Sequence, residues 1–129
     1  MIHIFEVREF NNPKEEIWEI ISELDRCDWV PGVESISLKE DTRIFRMQGM
    51  GSLVERILTC DHENLILEYS AIETPVPIKF HKARISLVER GLNTKFTWES
   101  QIDPGTFEDP IRQGMISSLD QLKLVLNNR

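Results

Sequence analysis

Hydrophobic and polar positions along this chain follow two periods, one of two residues and one of 3.6. Alternation begins at residues 2–10, where Phe5 and Val7 share one face and Ile4 and Glu6 the other, which predicts a strand. A helical stripe follows: Ile17, Ile20, Ile21 and Leu24 recur at helical spacing, with Trp18 at the edge. Asn12 reads as its N-cap, Pro13 as its first helical residue and Glu15 as a capping carboxylate. The stripe fades through Asp25, Arg26, Cys27 and Asp28, and residues 29–32 turn a corner. The two-residue period then returns six times, over residues 33–39, 42–47, 52–60, 65–72, 78–88 and 94–102, with short Gly-, Pro-, Asn- and Asp-bearing breaks between. Connections this short predict antiparallel neighbours in a meander.

The last strand breaks at Asp103, Pro104 and Gly105 into a helix predicted over residues 110–127, with Asp109 as its cap. Its apolar stripe is Ile111, Met115, Leu119, Leu122 and Leu126, flanked by Ile116 and Val125, while Arg112, Gln113, Asp120, Gln121 and Lys123 face water. Strand, helix, six strands, helix is an α+β order, with helices on one side of an antiparallel sheet and one domain over residues 1–129. The terminal helix is the only long lid for that sheet, which makes a small-molecule pocket between the two the leading expectation.

Parity says which side chains look inward. On the last strand Phe96, Trp98, Ser100 and Ile102 share the face toward the helix. His81, Ala83, Ile85 and Leu87 share a face on 78–88, and Leu65, Leu67, Tyr69 and Ala71 on 65–72. The strand at 52–60 is ambiguous: one parity gives Leu53, Glu55, Ile57 and Thr59, the other Val54, Arg56, Leu58 and Cys60. Adjacent strands each pair a large group with a small one, Tyr69 with Ala71, His81 with Ala83, Trp98 with Ser100. Small residues beside large ones either leave room under the helix or let it pack close. Trp29 is either a core anchor or part of a pocket mouth, and the loops around Gly49 to Gly51 and residues 74–77 are candidate gates.

Composition narrows the partners. The 129 residues carry a formal net charge of −7, and 40% are hydrophobic. An acidic surface argues against nucleic acid or an anionic lipid surface as main partner. Cys27 and Cys60 match no metal-ligand spacing and read as reduced thiols. Cys60, Asp61, His62 and Glu63 are adjacent on a tight turn, and such neighbours rarely converge on one metal, so a solvated turn is expected there. No metal and no cofactor is expected. The amino-terminal stretch has neither the basic head nor the apolar run of a secretory leader, and no segment is long enough to insert in a membrane, so a cytoplasmic location is expected. A homodimer through an exposed sheet edge is compatible with the pattern but not demanded by it.

These pieces together resemble the SRPBCC, or START-like, superfamily, and within it the polyketide cyclase/dehydrase and lipid-transport group. The resemblance runs through Pro13 and Trp18, then Trp29, Val30, Pro31, Gly32 and Val33, then Gly51 to Arg56, Leu67 to Ser70, Pro75 and Pro77 before Phe80 and His81, and Thr94 to Ser100. It implies a helix-grip: a strongly curved antiparallel sheet wrapped around the C-terminal helix, with a ligand cavity between them. It also implies that Glu55, Tyr69, His81 and Trp98 line the cavity, which selects the Glu55 parity on the ambiguous strand. Members often carry a Tyr or Asn-Tyr where this chain has Phe80-His81, so a titratable imidazole stands in place of a phenol.

Two functions follow as expectations. One is binding or transport of a small hydrophobic molecule, with Glu55, Leu67, Tyr69, His81, Ala83, Trp98, Ser100, Met115 and Leu119 as ligand-binding residues. The other is a cyclase or dehydratase-like enzyme, with His81 as general base and Glu55 as its partner or acid. An interaction scaffold with a vestigial pocket is a third reading.

Overall fold

The computed structural model describes residues 1–129. Strand β1 (Ile2–Phe10) leads into helix α1 (Lys14–Ile21). Strands β2 (Val33–Lys39), β3 (Thr42–Met47), β4 (Gly51–Asp61), β5 (Ile66–Glu73), β6 (Phe80–Arg90) and β7 (Asn93–Asp103) follow. A 3-10 turn (Gly105–Phe107) then enters helix α2 (Glu108–Asn127). The seven strands form one antiparallel sheet in the order β1-β7-β6-β5-β4-β3-β2, so the chain walks across the sheet and its two ends meet at the β1–β7 pair. This is the expected α+β architecture: a seven-stranded open sheet with a long C-terminal helix.

The strands obey parity because one face is buried. Along β7 every second residue is buried, from Thr94 through Phe96, Trp98 and Ser100 to Ile102. His81, Ala83, Ile85 and Leu87 do the same on β6, and Ile4 and Phe10 supply β1, whose Phe5 and Val7 stay exposed. These side chains join Ile17, Ile20 and Ile21 of α1 and Met115, Leu119, Leu122 and Leu126 of α2 in one core of 20 buried residues.

Both helix starts differ from the expected ones. Pro13 is the N-cap of α1 rather than its first residue; its extended ψ of 149° holds it outside the helix, and its carbonyl accepts from the amide of Glu16 at 3.1 Å. Asn12 makes no cap bond and donates from its side chain to Glu16 at 3.2 Å. Helix α2 begins at Glu108, two residues early, because the 3-10 turn feeds directly into it. Pro110 is tolerated there, since amides of a first turn have no intrahelical acceptor. Glu108 and Asp109 set negative charge against the positive end of the helix dipole.

Strand β4 resolves its own ambiguity in an unexpected way. Its pairing with β5 shifts register at two points, between Val54 and Glu55 and between Ile57 and Thr59. Leu53, Glu55 and Ile57 take the inner face, but past the second shift Cys60 packs against the core and Thr59 turns outward to bond Glu68 at 2.6 Å. A bulge inserts one residue and thereby exchanges the two faces. Each parity therefore holds in one half of the strand.

Candidate functional site

Between the inner face of the sheet and the first half of α2 lies a cavity of about 660 Å³. Most of the 29 residues around it are apolar. Phe45, Leu53, Leu67, Ile85 and Trp98 floor it, and Ile111, Met115 and Ser118 of α2 roof it. The loop at Gly49 and Met50, the segment with Thr74, Val76 and Ile78, and the exposed Gln113, Gly114 and Ser117 ring its mouth. The two loops touch: Gly51 has φ of +115°, and a Cβ there would meet the Pro75 ring at 3.0 Å, so both backbone conformation and space call for glycine.

Polar groups gather at one place in this apolar wall. Arg43, Glu55, Tyr69 and His81 are the four titratable residues lining the cavity. Hairpin register places Arg43 opposite Glu55, and Glu55 opposite Ala71, whose amide bonds the His81 ring, so these residues form one row across three strands and onto a fourth. Arg43 Nη2 donates to Glu55 Oε1 at 2.7 Å, within the range of charge-assisted bonds, and the guanidinium carbon lies 4.9 Å from the Tyr69 ring centroid. The Tyr69 and His81 rings stand 6.0 Å apart. Burial pushes the Glu55 carboxyl up from its ordinary range, opposed by the charge and hydrogen bond of Arg43. Burial, and secondarily the Glu55 charge, also raises the Tyr69 phenol, so it stays protonated.

His81 sits where the sheet forks. Strands β5 and β6 pair from Ile66 with Ser86 as far as Tyr69 with Ala83, and the ladder stops there. Side chains continue it: the Ala71 amide donates to His81 Nδ1 at 2.9 Å, and the Ser70 hydroxyl donates to the His81 carbonyl. Because Nδ1 accepts, the ring proton resides on Nε2, on a side chain that lines the cavity. Burial lowers the imidazole pKa to about 4, so the ring is neutral at pH 7. A neutral ring whose lone pair is already bonded to an amide is a hydrogen-bond donor to the cavity. It is poorly disposed to act as a general base, as the enzyme reading requires.

Of the expected site residues, Glu55, Leu67, Tyr69, His81, Trp98, Ser100 and Met115 border the cavity, and Ala83 and Leu119 do not. Ala83 is fully buried between its partners Tyr69 and Ser100, and a methyl flanked by larger neighbours does not reach the opening. Leu119 is also buried; the cavity follows α2 only as far as Ser118, and the next residue is rotated about 100° into the core. Trp29 serves both roles proposed for it, buried in the core and lining the cavity, its ring 5.9 Å from that of Trp98. His62 is exposed, as expected of a turn, yet its Nδ1 accepts from the Trp18 indole at 3.0 Å, which ties α1 to the end of β4. Arg43 was not anticipated. Its signal was present in the hairpin: Phe45 marks the inward face of β3, and the turn after Met47 carries Arg43 opposite Glu55.

A seven-stranded antiparallel sheet, a long C-terminal helix and an apolar cavity between them define the START-like, helix-grip class. The chain belongs to the family described as polyketide cyclase/dehydrase and lipid transport, which matches residues 1–124. Among solved structures, the protein XoxI from Bacillus cereus superposes with a TM-score of 0.86 at 19% identity, covering 97% of this chain and 95% of that one. The Zhui aromatase/cyclase of a Streptomyces species gives 0.82 at 13% identity over 99% and 94%. A START superfamily protein from Mycobacterium smegmatis gives 0.79 at 13% over 98% and 97%. No curated protein matches the sequence. No helix is long and apolar enough to cross a membrane.

Proposed function

We propose that this protein binds one small, largely apolar molecule in the cavity and holds its polar end against Arg43, Glu55, Tyr69 and His81, as a carrier or sensor rather than a catalyst. The observation that carries this reading is the cavity, 660 Å³ of mostly apolar lining with its titratable groups gathered in one cluster. A dry void of that size would cost on the order of 15 kcal/mol at about 24 cal/mol per Å³. That equals the whole stability of an ordinary domain, about 5–15 kcal/mol, so water or a guest fills the space. The neighbouring fold of an aromatase/cyclase keeps a catalytic reading in view. In this chain that reading lacks a free base at His81, whose Nδ1 is engaged by the Ala71 amide.

Native mass spectrometry of the protein purified from its own cells tests the proposal. The expected result is a single small adduct that denaturation releases, and that prolonged incubation with the protein leaves unaltered. Titration with the neutral fluorophore N-phenyl-naphthylamine, followed by quenching of the cavity-lining Trp29 and Trp98, is expected to saturate at one equivalent. Bare protein in the spectrometer together with no saturable quenching would overturn it.

A further inference from the structure

We propose that the cavity selects an uncharged ligand bearing a carbonyl oxygen, and that Glu55 sets this selectivity by cancelling the charge of Arg43. The inference rests on the ligand-binding reading above and adds the chemistry of the ligand's polar end.

Charge comes first. Arg43 and Glu55 form a close ion pair, His81 is neutral and Tyr69 is protonated, so the formal charges facing the cavity sum to zero. The side chains of the pair are only 9% and 13% exposed. A buried arginine standing alone would be a carboxylate site, because its planar fork fits two oxygens. With Glu55 Oε1 already bonded to one arm of that guanidinium, an incoming carboxylate meets a second negative charge in a medium that screens it weakly, and it must shed its own hydration. An ammonium group is opposed by Arg43 in the same way. Like-charge contact of this kind discriminates against wrong ligands, as added attraction selects right ones.

The hydrogen-bond inventory then fixes the head group. His81 presents Nε2–H and Tyr69 presents its hydroxyl, both on residues that line the cavity. A donor removed from water without an acceptor is costly, and a ligand oxygen with two lone pairs offsets that cost for His81 and Tyr69 together. An acceptor head, a ketone, ester or amide carbonyl, complements the His81 and Tyr69 donors better than an amine.

A matched pair of probes tests the assignment: 2-acetylnaphthalene and 2-naphthoate, with the same aromatic body and a neutral or anionic head. Each competes with N-phenyl-naphthylamine at pH 7.5. The wild-type protein is expected to bind the ketone at least tenfold more tightly than the acid. In Glu55→Gln, whose amide oxygen still accepts from Arg43 but carries no charge, naphthoate is expected to gain at least tenfold relative to the ketone. Equal or stronger binding of naphthoate by the wild type, with the fluorophore bound, overturns the charge selection and leaves the cavity reading standing. A folded Glu55→Gln variant with an unchanged ratio removes Glu55 as the selector. Failure of the fluorophore and both naphthalenes to bind overturns the cavity reading itself, and this inference with it. The wild-type comparison decides the case even if the variant does not fold.

Discussion

His81 shows how a single side chain acquires a role from its surroundings. As a free residue it titrates near neutrality and invites a reading as an acid–base catalyst. In place it replaces a missing rung of the β5–β6 ladder by accepting from the Ala71 amide, and burial lowers its pKa to about 4. The unfolded chain takes up a proton near pH 6.5 that the native state refuses until about pH 4. Stability is therefore full above pH 6.5 and falls as pH drops toward 4, by on the order of 3 kcal/mol from this one group. Asparagine can accept from the Ala71 amide without titrating, so urea unfolding of His81→Asn at pH 7.5 and pH 4.5 is expected to lack most of that acid-side loss. A variant that loses as much stability as the wild type would show that the acid sensitivity lies elsewhere. Glu55 and Arg43 follow the same logic: each alone is an expensive buried charge, and only the pairing of β3 with β4 makes the two compatible.

Elements place these side chains, and one element also borders the cavity. Helix α2 roofs the cavity with its first half and packs into the core with its second, so its stripe divides between Ile111, Met115 and Ser118 above the opening and Leu119, Leu122 and Leu126 below it. Gly114 lies on the exposed rim of that roof, and a Cβ built there meets no atom within 4 Å. Glycine at a helix interior costs about 1 kcal/mol relative to alanine. Gly114→Ala is therefore expected to raise thermal stability by roughly 0.5–1 kcal/mol with ligand affinity nearly unchanged, whereas Gly114→Phe is expected to cut fluorophore binding at least tenfold while the protein remains folded. Full binding by the phenylalanine variant would place the entrance elsewhere. Strand positions were legible from alternation to within one or two residues, because each strand has one buried and one solvated face. The bulges of β4 showed only as an ambiguous alternation, since their positions are set by its pairing with β5.

The whole molecule couples its cavity to its stability. The core of 20 residues sits beside an opening that contributes few protein–protein contacts, so the folded state is stabilised by whatever occupies it. A ligand at 100 times its Kd adds about 2.7 kcal/mol, on the order of 10 °C in Tm for a chain of this size. Extraction of any co-purified molecule with an organic solvent under refolding conditions is expected to lower Tm by about that amount, and adding the extract back to restore it. An unchanged Tm after verified extraction would mean that the occupant contributes nothing to folding. At the mouth, Gly51 lies close against Pro75 and brings two loops together beside the rim of α2.

By itself the sequence determined the element order, the antiparallel class and the inward faces of β5, β6 and β7, because hydrophobic periodicity is a local record of which side of each element leaves water. It brought Tyr69, His81 and Trp98 to one wall for the same reason. Only the tertiary structure decided that Ala83 and Leu119 lie below the cavity, that Arg43 neutralises Glu55, and that the lone pair of His81 is already taken. Those facts depend on distances between strands and on burial by distant segments, and no local period encodes either.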